Sequence, residues 1–557
     1  MTADDATSGD RSSLQRHSTL VASGILLSRL AGLAREKLTG YYLGANVGAE
    51  AFRAALRIPN LLQNLLGEGV LSASFIPVHS RMLAEGRRED AGRLAGAIAG
   101  LLAMVAGALV LVGVLFAEPL TRVIAPGFPP GSTKYELTIT LVRILTPGVG
   151  FLVLSAWCLG VLNSHRRFFL SYVAPVMWNA AIIATLVGAG TAGLTETSIA
   201  TAMGWGVLVG GLLQFLVQLP TVVRLSPGLR LSVSTSLPGV REVGRAFAPI
   251  VAGRGVVQIS AYLDLVVASL LATGAVAALG YAQVLYLLPI SLFGMSVAAA
   301  ELPELSSMDH DDRQGVVARI EAGLGRMAFF VTPSAVAFVV LGDLVVGTLY
   351  EGGRFSSADT TQVAVVLGAY GLGLLASTAT RLLQSALYGI GDTRRPAILA
   401  GVRVGVSTLT GVALMLPLDL LRITEPGLVE AVGPLSDIGI ADLGQRGADV
   451  NQLRLGAAGL ALGAAVGAWV ELVLLRRAVH RRFGRVRLGG GRLARTVVAS
   501  VPLALVGTAA RPLVGDLPPW LAGPIALGAA GLAYLLTAGA LGLPEATELR
   551  ARLRRRR

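Results

Sequence analysis

Apolar residues in this chain come in long blocks separated by short, arginine-bearing turns. A bilayer core takes about 20 apolar residues per helical span, and blocks of that length recur from end to end. They predict helices over 18–43, 50–81, 91–117, 134–162, 168–191, 197–223, 241–273, 275–305, 314–350, 358–389, 396–417, 454–478, 494–512 and 518–542. The expected fold class is an all-α polytopic membrane protein with about fourteen transmembrane helices.

The polar turns carry the orientation. Turns after even-numbered helices hold Arg81, Arg87, Arg88 and Arg93, then Arg166-Arg167, then Arg224, Arg230, Arg241 and Arg245, then Arg394-Arg395, and finally the basic run from Arg476 to Arg495. After odd-numbered helices Lys and Arg are scarce, with Lys134, Arg354 and a few in 418–452 as exceptions. Positive charge collects on the cytoplasmic side, so both termini are expected there. The polar N-terminus, 1–17, followed by an apolar stretch, imitates a signal peptide. Arg29 and Arg35 interrupt that stretch and many spans follow, so a first membrane helix is expected instead.

Four landmarks recur in order at offsets of about 226–230 residues: Pro59 with Pro289, Pro77 with Pro303, Gly127-Phe128 with Gly353-Arg354-Phe355, and Arg166-Arg167 with Arg394-Arg395. Six helices fit one period, which predicts an N-lobe over 18–225 and a C-lobe over 241–480. An even-numbered repeat keeps its orientation, and substrate sites in such transporters lie between the lobes near the midplane. Helices 494–542 fall outside the repeat, the segment 418–452 is expected to be a solvated external loop, and 543–557 a basic cytoplasmic tail.

Composition narrows the function. The 557 residues are 53% hydrophobic and 15% charged, where a soluble domain carries about 25% charged residues. A net charge of +13 suggests nucleic acid, but the arginines sit in membrane turns, so no nucleic-acid partner is expected. Cys158 stands alone, and His17, His79, His165, His310 and His480 show no ligand spacing, so neither a disulfide nor a zinc site is expected. Gly188, Gly190 and Gly193 match a dinucleotide fingerprint but end a membrane helix and follow no strand. There is no phosphate-binding loop for ATP and no catalytic constellation, which points to a secondary-type transporter and not an enzyme.

Ionisable residues inside spans are costly and mark function by default. The first two predicted helices hold Arg29, Arg35, Lys37, Arg53 and Arg57 against Glu36, Glu50 and Glu68: five basic and three acidic groups, net +2. On a continuous second helix, Glu50, Arg53, Arg57, Asn60, Asn64 and Glu68 would share a stripe about 80° wide at 100° per residue. Mutual pairing that only glues helices together is one reading. The positive excess favours an anion site, because the arginine fork binds phosphate bidentately and stays charged. Glu68 is the acid best placed to hold the arginines. In the later spans Arg254 and Gln258 lie one turn apart, Asp264 lies on another face as a candidate partner for a small cation, and Arg381 and Arg403 either face a cavity or snorkel to the surface. Glu301 and Glu304 are expected at the interface.

At Ser28-Arg29, Gly32-Leu33-Ala34-Arg35-Glu36, Gly44-Ala45, Glu50-Ala51-Phe52, Arg57-Ile58-Pro59-Asn60-Leu61-Leu62, Glu68-Gly69 and Phe75-Ile76-Pro77 the sequence resembles the MurJ (MviN) family of bacterial lipid II flippases, of the multidrug/oligosaccharidyl-lipid/polysaccharide exporter superfamily. Ala125–Phe128, Leu162–Phe168 and Tyr388–Pro396 extend the likeness. The resemblance implies two six-helix lobes, a cationic central cavity, a lipid-tail groove at the last two helices, and export of undecaprenyl-pyrophosphate-linked peptidoglycan precursor across the bacterial inner membrane, next to cell-wall synthesis enzymes. It places Arg29 and Arg35 in the cavity, with Glu36 and Glu50 where the family often has aspartate. It also matches Asp264 to an acid of a sodium site. The chain departs from the family at Gln63, where arginine is common, at Gln283-Val284 in place of an acid–arginine pair, and at Ser407 and Gly411 in place of sodium ligands.

The expected mechanism is alternating access, with the headgroup meeting Arg29, Arg35, Arg57 and Arg254, supported by Glu36, Glu50, Arg53, Asn60, Asn64, Glu68, Gln258 and Arg381. No cofactor is expected; coupling to a sodium ion, a proton or the membrane potential is. The potential is worth about 2.3 kcal/mol per charge per 100 mV, inside negative, and drives a negative headgroup outward. The rivals are a drug or organic-cation antiporter, which would want an acidic or aromatic cavity, a flippase for another lipid-linked glycan, and a non-transporting scaffold.

Overall fold

Hydrocarbon offers no water to unpaired backbone groups, so a crossing chain closes its hydrogen bonds within helices. The computed structural model follows that rule over the residues it describes: 24, 26–295, 297, 301, 304, 313–425, 428–434, 438–487 and 490–548, without the side chains of 238, 252–261 and 490. Twelve helices among them are long and apolar enough to cross a membrane. Two more, 26–43 and Pro238–Ala268, stand where the first and seventh were predicted, which gives fourteen. The N-terminal 23 residues and the basic tail after 548 lie outside the described residues.

The chain divides into compact units at 266/267. The first unit runs α1 (26–43), α2 (Val47–Ala55), α3 (Arg57–Leu66), α4 (Glu68–Ala84), α5 (Arg88–Leu115), α6 (Ala117–Ile124), α7 (Thr133–Ser164), α8 (Phe168–Thr191), α9 (Glu196–Leu225) and α10 (Pro238–Ala268), whose last two residues fall in the second unit. Its core centres on Phe75, Trp157, Cys158 and Val161, and the Trp157 indole donates to the Ala95 carbonyl at 3.0 Å. The linker after α9 lies on α5 along Gly92, Gly96 and Gly100. A Cβ there would stand 2.0–2.2 Å from the carbonyl oxygens of Pro227, Arg230 and Ser232, so only glycine fits.

The second predicted helix, 50–81, is three pieces. Pro59 lacks the N–H that would continue the ladder, so the chain breaks at Leu56 and keeps Pro59 in the first turn of α3; Gly67 is extended and breaks it again. Pro289 is followed in the second unit by a π-helical turn, Ile290–Gly294. Both prolines sit where a regular helix gives way.

The second unit continues with α11 (Ala275–Pro289), α12 (Arg313–Val340), α13 (Gly342–Tyr350), α14 (Ser357–Gly389), α15 (Arg394–Leu418), a hairpin of β1 (Leu421–Glu425) and β2 (Leu428–Ala431), α16 (Leu443–Gly447), α17 (Gly456–Phe483), α18 (Gly490–Val514) and α19 (Pro519–Ala540). The predicted helix 314–350 is therefore broken, at Leu341. The segment 418–452 is not a plain solvated loop. Its hairpin is tied down at both ends: Asn451 is buried and donates to Asp359 and Gln362 at 2.9 Å each, and Arg454 donates to the Asp419 carbonyl at 2.9 Å. Burial pushes the Asp419 carboxyl up to about 6 against the opposing pull of Arg454.

The repeated aromatic landmarks are buried in both units. Phe128 lies under Lys134, and Phe355 packs edge-on to Tyr281 at 5.3 Å.

Small residues let membrane helices approach closely. On α17, a Cβ at Gly459, Gly463 or Gly467 would come within 2.0–2.4 Å of Met415, Gly411 or Ser407 on α15. Gly463→Leu is expected to force α15 and α17 apart and cost more than the ~1–3 kcal/mol of ordinary overpacking, because backbone is what it meets. Thermal unfolding in detergent checks this, with Gly401→Leu, where nothing lies within 4 Å, as the neutral comparison.

Candidate functional site

An ionised group inside a span needs a partner or a water-filled surface. In the first unit the charges of α1 and α2 sort into two groups with opposite properties.

In one, Glu36 on α1 accepts from two guanidiniums: its neighbour Arg35 at 2.7 Å and Arg53 of α2 at 3.0 Å. Arg35 also donates to Asn179 on α8 at 3.2 Å and lies 4.8 Å over the Trp178 ring. The three ionised side chains are 12–17% exposed. Two cations and one anion leave one positive charge, held in place and partly dehydrated. Phosphate binds well to such a surface, since the planar fork is weakly hydrated and preorganised.

In the other, Lys134 of α7 meets Glu50 of α2 at 2.7 Å, both side chains only 1% exposed, with the ammonium 4.6 Å above the Phe128 ring. Both side chains are closed to any ligand, and the buried Arg57 lies near the same carboxylate, so Glu50 serves as a structural lock. Arg57 is buried as well and donates to the Ile124 carbonyl; among the described residues its Nε and Nη2 find no hydrogen-bond partner.

These positions revise the continuous polar stripe. The breaks at Leu56 and Gly67 turn each piece of the second span separately. Glu50 and Arg57 point into protein, Asn60, Asn64 and Glu68 are left uncovered by it, and Asn64 hydrogen-bonds Tyr262 of α10. Glu36 is an acid that holds two arginines, while Glu68 opens α4 and is exposed. Lys134, expected in an external turn, sits inside α7. Arg29 lies uncovered on α1, Asp264 is half-buried on α10, and Arg381 is uncovered on α14. Arg254 and Gln258 are on α10, with side chains outside the described residues.

In the second unit, Gln283 donates to the Tyr370 hydroxyl at 3.1 Å, and Tyr286 stacks on Tyr370 at 4.9 Å and shares a 2.7 Å hydrogen bond with Ser377. A neutral aromatic cluster thus stands where the resemblance expects an acid–arginine pair. Ser407 and Gly411, which stand in place of the family's sodium ligands, are taken up by the close seam with α17. Arg403 does not snorkel: it donates at 3.0 Å to Glu471 of α17, which is buried. Glu301 is 2% exposed and bound by both Arg319 and Arg326. Glu471 was not singled out from the sequence because its partners Arg403 and Gln384 lie on other helices, 68 and 87 positions away.

Removing one partner of a buried pair costs about 3–5 kcal/mol, whereas replacing both is often neutral. Lys134→Met is therefore expected to lower the unfolding temperature sharply, and Glu50→Gln/Lys134→Met to recover most of the loss. A thermal melt of the three purified proteins checks the pattern.

The family model described as lipid II flippase MurJ matches residues 39–424. The chain is 34% identical over 397 residues to the lipid II flippase MurJ of Burkholderia cenocepacia, covering 70% of this chain and 76% of that protein. It is 32% identical to the probable lipid II flippase MurJ of Bdellovibrio bacteriovorus, over 76% of this chain and 81% of that one. Among solved structures, a lipid II flippase MurJ in an inward closed conformation aligns with a TM-score of 0.72 at 21% identity, covering 94% of this chain and 98% of that chain. An inward-facing multidrug resistance MATE family transporter of the MOP superfamily aligns with a TM-score of 0.58 at 16% identity, over 83% of this chain and 98% of that one. The structures establish a shared fold, and the family match with the sequence identities establishes kinship: this multi-pass membrane protein belongs to the lipid II flippase MurJ family of transporters.

Proposed function

We propose that this chain moves lipid II, the undecaprenyl-pyrophosphate-linked peptidoglycan precursor, from the inner to the outer leaflet of the bacterial cytoplasmic membrane by alternating access. The observation that carries the reading is the two-to-one cluster of Arg35, Arg53 and Glu36 inside the membrane spans. A drug-cation site would want the opposite sign. The pyrophosphate meets Arg35 first, with Arg29 on the same helix, while Glu36 and Asn179 hold the guanidinium in position. Arg53 keeps the cluster positive once Glu36 is subtracted. Arg57 acts at one remove, bracing α3 against α6. Both termini face the cytoplasm, and the polyprenyl tail stays among membrane lipids along α18 and α19. The membrane potential supplies drive, because the headgroup is negative and the cytoplasm is negative; collapsing the potential should slow export.

A flippase for another lipid-linked glycan is the second reading, favoured by the neutral Gln283–Tyr370–Tyr286 cluster in place of charge. Complementation separates the two. A bacterium depleted of its resident lipid II flippase is given this chain, or its Arg35→Ala variant at equal membrane level. Native chain is expected to restore growth and lipid II export. A charge-assisted hydrogen bond is worth about 1.5–3 kcal/mol, so Arg35→Ala should lower export on the order of tenfold or more. A native chain that inserts at full level yet never restores lipid II export would overturn the proposal in favour of another lipid-linked glycan.

A further inference from the structure

Glu471 is a buried acid inside a membrane helix of the second unit. It lies inside α17, 1% exposed, and the hydrogen bonds it accepts come from two other helices: Arg403 of α15 at 3.0 Å and Gln384 of α14 at 2.9 Å. The other charged or titratable groups near it are Arg381 and Tyr388 on α14 and Tyr286 on α11. The remaining helix packed against α17 is α12, whose Arg319 and Arg326 are engaged with Glu301. One cation therefore balances this carboxylate directly, and that cation is different in character. The Arg403 side chain is 29% exposed where Glu471 is closed, so Arg403 has one face on the acid and another open.

A buried carboxylate that loses its cation does not stay ionised; it takes a proton. An anion arriving at the open face of Arg403 competes with Glu471 for the same guanidinium. We propose that Glu471 is a proton site linked to anion binding at Arg403: phosphate capture by Arg403 lets Glu471 take one proton from solvent, and loss of that proton recaptures Arg403 and expels the anion. The linkage is reciprocal, as any coupling free energy is. It provides a cation-coupled release step without a sodium site on α15, where Ser407 and Gly411 are closed by helix packing. The inference rests on the proposed anionic, lipid-linked substrate.

The test is calorimetric titration of the purified full chain in lipid nanodiscs with undecaprenyl pyrophosphate, in two buffers of different ionisation enthalpy and across a pH series. The native protein is expected to take up close to one proton per anion bound, and to bind more weakly as the pH rises. Glu471→Gln keeps the shape and the hydrogen bond with Gln384. It is expected to bind at every pH and to take up fewer protons by one; the titration of the probe itself is common to both proteins. Arg403→Lys, which keeps a cation for Glu471 but not the fork, is expected to weaken binding while leaving the fold intact. Equal proton uptake by the native chain and Glu471→Gln would overturn the proton site. Native protein that does not bind the probe at all would overturn the substrate reading instead, and Glu471→Gln that melts before binding is measured is replaced by Glu471→Asp, expected to change the pH dependence of binding without abolishing the proton uptake.

Discussion

An ionised side chain in hydrocarbon must be neutralised by a partner or bathed in water, and the arrangement of the first unit follows from how each charge meets that demand. Lys134 and Glu50 meet it completely: both are closed from any ligand, and they pin α7 to α2. Arg35 and Arg53 meet it by half, sharing Glu36 between them. The same chemistry that makes the first pair inert leaves the second cluster with an excess positive charge. That excess has the sign that the proposed pyrophosphate headgroup would require.

Backbone and side chains divide the labour. Helix breaks at Leu56 and Gly67 rotate the three pieces of the second span separately, so that one piece supplies the lock and the cluster, and the next braces Arg57 on the Ile124 carbonyl. In the second unit, glycines on α17 bring α15 close enough for Arg403 to reach Glu471. Close packing and charge placement are thus one problem: without Gly463 and Gly467, Arg403 would be held away from its acid.

Much of this was legible in the sequence, for physical reasons. Apolar block length sets the number of crossings, and Arg29, Arg35, Glu36 and Arg53 stand out because charge in a span is rare. What escaped detection depended on partners distant in sequence. Lys134 looked like a turn residue because its partner Glu50 lies 84 positions earlier. Glu471 drew no notice because Arg403 is 68 positions away. The polar stripe failed because a helical wheel assumes an unbroken helix, and Pro59 and Gly67 break it. The hairpin in 418–452 hid behind acidic composition, its anchors Asp419 and Asn451 being indistinguishable from solvated neighbours.

The central claim is that the first unit presents a phosphate-seeking charge inside the membrane. Its most direct test is the affinity of the purified chain for undecaprenyl pyrophosphate against uncharged undecaprenol, measured for the native protein and for Arg35→Ala. The account predicts a strong preference of the native chain for the pyrophosphate, weakened by added salt and largely lost in the variant. Equal affinity for the charged and uncharged lipids, or a preference untouched by Arg35→Ala, would contradict it.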